Sequence, residues 1–199
     1  MERKRSYSRG STVVEVLMAI TVLAIGASGV VAMQKVTTTA NRNARSIAIA
    51  NEISRTWIER LRTDAMLWNH PSPSNATADL SADTLWLKNV TSQNNVWFRP
   101  TDGASRCGIH DVFGRDQGCS GTGPYCVNVR LSWIREERRM VRADVRVYWV
   151  GRNEGTGALT ADKLPCGDAA DPPDVDTLAT QGIFRVVHAV TAISKNEAP

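Results

Sequence analysis

One carboxylate stands inside an otherwise apolar stretch. Glu15 is the single charge in the 21 residues from Val13 to Met33. A carboxylate in an apolar helix costs on the order of 2.5–3.5 kcal/mol at the centre of a bilayer, and less near either edge. Because Glu15 comes early in the run, one reading simply lets it reach the headgroups. A second reading counts backwards. Ser11-Thr12-Val13-Val14-Glu15 makes the acid the fifth residue after Gly10, which itself closes a short basic leader. A cut between Gly10 and Ser11 creates a free α-amino group one helical turn from the carboxylate. With a reference pKa of about 7.7–8.0, that amine is largely cationic at neutral pH. In the apolar core of a helical assembly, Glu15 of one subunit can then pair with the amine of its neighbour. After desolvation such a pair adds little net stability, but leaving one half alone is costly, so it can fix subunit register.

The other chemistry-bearing residues form no catalytic set. His70, His110 and His188 show no i, i+4 pairing and no H-E-x-x-H, and each reads as a surface or cap residue. Gly118-Cys119-Ser120-Gly121-Thr122-Gly123 lacks the Lys-Ser/Thr of a phosphate loop, and Ser120 is not in a G-x-S-x-G elbow. Asp111 and Asp116 sit beside Gly114 and Gly118, but their spacing does not fit an EF-hand and the loop reads as solvated. The six tryptophans, Trp57, Trp68, Trp86, Trp97, Trp133 and Trp149, fall on apolar stripes or alternating strands and read as core. No catalytic residue, cofactor or metal is expected.

All four cysteines, Cys107, Cys119, Cys126 and Cys166, follow the apolar run. An even count in an exported domain suggests disulfides, and four cysteines allow three pairings. Antiparallel neighbours place Cys126, at one strand's start, near the end of the next, with Cys166 one loop further on. Cys126–Cys166 with Cys107–Cys119 is therefore the first choice of the three. Their spacings match no standard zinc pattern.

These residues need elements to position them. At about 1.5 Å per residue, Val13–Met33 covers about 30 Å as a helix, the thickness of a bilayer's hydrocarbon core. Arg3, Lys4, Arg5 and Arg9 precede it and should remain cytoplasmic, which puts the chain after Met33 across the membrane. A cleaved secretory signal fits poorly: its apolar region is typically about 7–15 residues, and the best small-x-small site here, Gly26-Ala27-Ser28, lies inside the run. The net charge of +4 owes most of its excess to that basic leader, so it reads as a targeting signal, and no nucleic-acid partner is expected.

From Gln34 to Trp68 there is no Pro or Gly, and Val36, Ala40, Ala44, Ile47, Ala50, Ile53, Trp57, Leu61, Ala65 and Trp68 recur every three or four residues. The spacing predicts one continuous helix of about 55 residues, apolar all round in its first half and amphipathic in its second. Asn69-His70-Pro71 ends it, and 71–79 reads as a loop. Beyond residue 80 the period changes to two. Thr84–Val90 and Asn95–Arg99 read as short strands; Tyr125–Ile134, Val141–Trp149 and Ile183–Ile193 read as strong ones, with a charged hairpin tip at 135–139. Loops are expected at 100–124 and 151–182. One sheet face is apolar, and the amphipathic half-helix is its obvious cover, giving an α+β roll.

Arg9-Gly10-Ser11-Thr12-Val13-Val14-Glu15-Val16-Leu17 resembles the cleavage and methylation signature of type IV prepilins and type II secretion pseudopilins. The likeness implies that a membrane prepilin peptidase cuts after Gly10, that Ser11 becomes the N-methylated first residue, and that Glu15 governs filament assembly. It also implies the type IV pilin roll, a long N-terminal helix on an antiparallel sheet. Val22-Leu23-Ala24-Ile25-Gly26, then Gly29 and Met33-Gln34, is similar to minor pilins of the PilV type. Ser11 stands where major pilins usually have Phe, and the span lacks the proline many of them carry. The implied organisation is a leader at 1–10, a membrane and filament-core helix at 11–33, its amphipathic continuation at 34–70, and an extracytoplasmic sheet domain with disulfide loops at 71–199. The implied partners are the peptidase, other major and minor pilins, the inner membrane and the pilus assembly machinery. The implied location is the inner membrane with the C-terminal domain in the periplasm, then the cell-surface pilus. Two alternatives remain: a minor pseudopilin of a type II secretion system, and an uncleaved single-pass binding module.

Overall fold

The computed structural model describes residues 12–69, 79–119, 122–135, 138–151, 166 and 174–195. It divides into two units, Met1–Ser46 and Ile47–Pro199. One helix, α1 (Val13–Asn69), runs through the boundary. No proline interrupts it, and it stops two residues before Pro71, whose ring disfavours helical backbone at the preceding residue.

Within the first unit, Val13, Leu17, Ile20, Leu23, Val31 and Met33 are all exposed, and no described side chain of this unit is buried. Within the second unit α1 becomes amphipathic. Ala50, Ile53, Trp57, Leu61, Ala65 and Trp68 are buried, the latter part of the stripe read from sequence. Val36 and Ile47, earlier in the stripe, are exposed.

The buried stripe packs on a five-stranded antiparallel sheet: β1 (Trp97–Phe98), β2 (Ile109–His110), β3 (Tyr125–Trp133), β4 (Met140–Val150) and β5 (Phe184–Ser194). The order is β1-β3-β4-β5, with β2 also paired to β3. From β3 to β5 the sheet is a meander in regular register, Val129 opposite Val145 and Val145 opposite Ala189. Val127, Val129 and Leu131 of β3 and Val141, Ala143, Val145 and Val147 of β4 face the helix in one core. At roughly 1.5–3 kcal/mol for each large apolar side chain buried, this contact is what holds the amphipathic half of α1 to the sheet.

The structure departs from the period-two reading in several places. Thr84–Val90 is not a strand. Leu80–Asp83 forms a short helix α2, and Asn89–Ser92 another, α3. The reason is Asp64, which is 3% exposed on α1. Its carboxylate accepts the N–H groups of Leu85, Trp86 and Leu87 at 2.6, 2.8 and 2.8 Å. Three consecutive amides bent onto one carboxylate cannot also alternate across a ladder. The expected strand at 95–99 is reduced to β1. The first expected loop contains β2, and the second contains α4 (Val175–Thr180).

The second face of the sheet is not uniformly polar. Cys126, Tyr148, Val150 and Phe184 form a smaller core there with Cys166 and Val175, so β4 is buried on both faces from Ala143 onward. Beyond this core, Arg146 donates to Asn128 at 3.2 Å and to Asp176 at 3.1 Å, while Arg130 and Arg142 both donate to Asp144. Trp97 lies on this side, with the guanidiniums of Arg130 and Arg146 at 4.7 and 4.1 Å from its ring centroid. It is half-buried rather than core. The cysteines form the disulfides Cys107–Cys119 and Cys126–Cys166. The His70 break, the 71–78 part of the loop, the hairpin residues Glu136 and Glu137, Ser120, and most of 152–173 lie outside the described residues.

Candidate functional site

Glu15 occupies the first turn of α1. Its amide donates to the carbonyl of Thr12 at 3.0 Å and approaches Thr12 Oγ1 at 3.4 Å. Thr12-Val13-Val14-Glu15 thus has the S/T-x-x-E form of a helix start, in which the acid at the third position also favours the positive end of the helix dipole. The residues invoked for processing, Gly10 and Ser11, lie outside the described residues.

Along the apolar run the polar side chains turn inward to their own helix. Thr21 Oγ1 donates to the Met18 carbonyl and Ser28 Oγ to that of Ile25, both at 2.8 Å. Hydroxyls satisfied this way can be carried on a surface that meets lipid or another apolar helix. Among the described residues, Gly26 and Gly29 have open space where a Cβ would stand. Among the described residues α1 is the one helix long and apolar enough to cross a membrane.

In the second unit the polar residues converge between α1 and the 107–119 loop. Trp57 Nε1–H donates to His110 Nε2 at 3.0 Å, with the rings edge to face. His110 Nδ1 lies 3.2 Å from the Gly114 carbonyl and 3.8 Å from Asp116. Arg60, one turn along from Trp57, makes a two-pronged ion pair with Asp116 and sits over the Trp57 ring at 4.7 Å. His110 is 1% exposed, which corrects its reading as a surface or cap residue; His188 is exposed in β5. Burial, aided by the charge of Arg60, pushes the His110 pKa down, against Asp116, the Gly114 carbonyl and Asp111. No periodicity announces such a pair, since Trp57 and His110 lie 53 residues apart in sequence.

The loop acids are engaged internally. Asp111 Oδ1 accepts from the amides of Phe113 and Arg115 at 2.8 and 2.9 Å, and Asp116 is taken by Arg60. Burial tends to raise the Asp102 pKa, but the amides of Arg106, Ala104 and Ser105 outweigh it and hold the carboxyl at about 2. Asp102 clusters with Cys107 and Cys119, but the disulfide leaves no thiolate there to bind a metal. Among the described residues the cysteines are bonded, and the Nε2 lone pair of His110 is occupied. Comparisons with protein-family models, curated proteins and solved structures returned no match.

Proposed function

We propose that the chain is a minor type IV pilin, most similar to the PilV type. On this reading it is processed by a prepilin peptidase and joins a pilus at the tip or in a priming complex, supporting assembly, motility or adhesion. The observation that carries the reading is α1. One unbroken helix begins with an acid in its first turn, stays exposed and apolar through the span, and then becomes amphipathic and packs on an antiparallel sheet. A buried core helix would not expose Val13 to Met33, and a secretory signal would not continue into the domain core. The helix holds the subunit in the inner membrane until assembly, when neighbouring pilin helices cover the same apolar surface. Glu15 then pairs with the methylated amine of an adjacent subunit. The reading is non-enzymatic.

The test is the N-terminus and intact mass of the membrane-extracted protein from cells with an active prepilin peptidase. A chain that starts at methylated Ser11 is expected; one that starts at Met1 overturns the reading and leaves a plain membrane-anchored domain. Glu15→Val should be cleaved normally yet be depleted from sheared filaments, and normal recovery there would remove Glu15 from assembly.

A further inference from the structure

We propose that the Cys107–Cys119 loop is latched to α1 through the Trp57–His110 hydrogen bond, and that protonation of His110 releases the loop. The inference is independent of the assembly reading. His110 can accept from Trp57 at Nε2 and face the Gly114 carbonyl through Nδ1 only as a neutral ring with its hydrogen on Nδ1. A second proton has one place to go, Nε2, where it would point at the indole N–H 3.0 Å away. The bond is lost, two donors face each other, and a cation is left in a site that is 1% exposed.

The charged and titratable groups around the ring are Asp111 and Asp116 on its own loop, Arg60 on α1, and Tyr125, its partner across β3. Asp116, 3.8 Å from Nδ1 and shared with Arg60, favours the protonated ring, but burial outweighs it. Beyond the Arg60–Asp116 ion pair and the buried Ile109, the rest of the loop has little else to hold it. Phe113 and Val112 at its tip are 64% and 51% exposed, β2 contributes two pairs with β3, and the Gly114 backbone rests near Ile49 and Ile53. An element with so few buried apolar contacts opens before the domain does. The disulfide limits the opening to the loop itself. Release uncovers Trp57 beside a groove of about 790 Å³ whose wall includes Arg60, Trp86 and Arg106.

The direction follows from burial. The folded-state pKa of His110 lies below its ordinary 6.5. The latch is therefore at full strength above that value and is lost as pH falls through the lower, folded-state one.

The test is amide hydrogen exchange of the full chain in detergent, followed from about pH 7.5 to about pH 4.5 and corrected for intrinsic exchange. Fragments covering 108–118 should lose protection on the order of tenfold in acid while β3, β4 and β5 keep theirs. His110→Gln, which can accept from Trp57 but does not titrate, should remove the step. A step of the same size in His110→Gln, or no step in the unsubstituted chain, overturns the proposal. If near-ultraviolet dichroism shows that His110→Gln does not fold, Trp57→Phe carries the test. With no donor opposing Nε2, its midpoint must move to higher pH, and an unmoved midpoint is equally fatal.

Discussion

Single side chains decide where this fold leaves its sequence pattern. Asp64 lies on the buried face of α1, and nothing in helical spacing marks it, because spacing sorts charges to the outside. Its role appears only when three amides, 21 to 23 residues away, are seen to converge on it. Asp64→Asn keeps the shape but turns a charged acceptor into an amide that presents its own N–H groups to other donors. We expect a loss of roughly 2–3 kcal/mol, read as a lowered denaturation midpoint of the full chain in detergent. A shift within error would mean that the helix and the 85–87 turn are held by Leu87, Val90 and Trp86 packing alone. The burial of His110, read from sequence as a surface or cap residue, escapes for a related reason: a lone histidine in a Gly- and Asp-rich segment carries no periodic signal, and its partner is distant in sequence. Glu15 draws attention in the sequence because a charge in an apolar run contradicts its surroundings.

Elements were legible in proportion to their length. β3, β4 and β5 contain nine, eleven and eleven residues, enough for alternation to show, and their order gave Cys126 and Cys166 a common end of the sheet. β2 has two residues and α4 six, too few for any period. α4 and Cys166 bury the second face that alternation read as polar. The two bridges also differ in what they restrain. Cys126–Cys166 closes a separation of 40 residues and Cys107–Cys119 one of 12. Chain entropy alone makes the first worth about 4 kcal/mol and the second about 3 kcal/mol. Cys126→Ser and Cys166→Ser should therefore lower the melting temperature equally, and more than Cys107→Ser or Cys119→Ser. Unequal shifts within a pair would show that a free thiol, rather than the lost bridge, governs the change.

At the scale of the molecule, the onset of burial along α1, at Ala50, falls close to the division into units at Ser46 and Ile47. No described side chain of the first unit is buried, whereas the core of the second unit begins at Ala50. A chain that starts at Ile47 should stay monomeric without detergent and melt as the parent does, checked by size exclusion and thermal dichroism. Aggregation of that fragment would mean that the N-terminal half also shields the domain. Both disulfides close C-terminal to α1, and neither ties the helix to the sheet. Under tension applied through its N-terminal half, α1 is retained by packed side chains and a few polar contacts such as Trp57 to His110 and Asp64 to Leu85. Within the second unit, the seam between α1 and the sheet, rather than the cross-linked sheet itself, is therefore where such a load falls first.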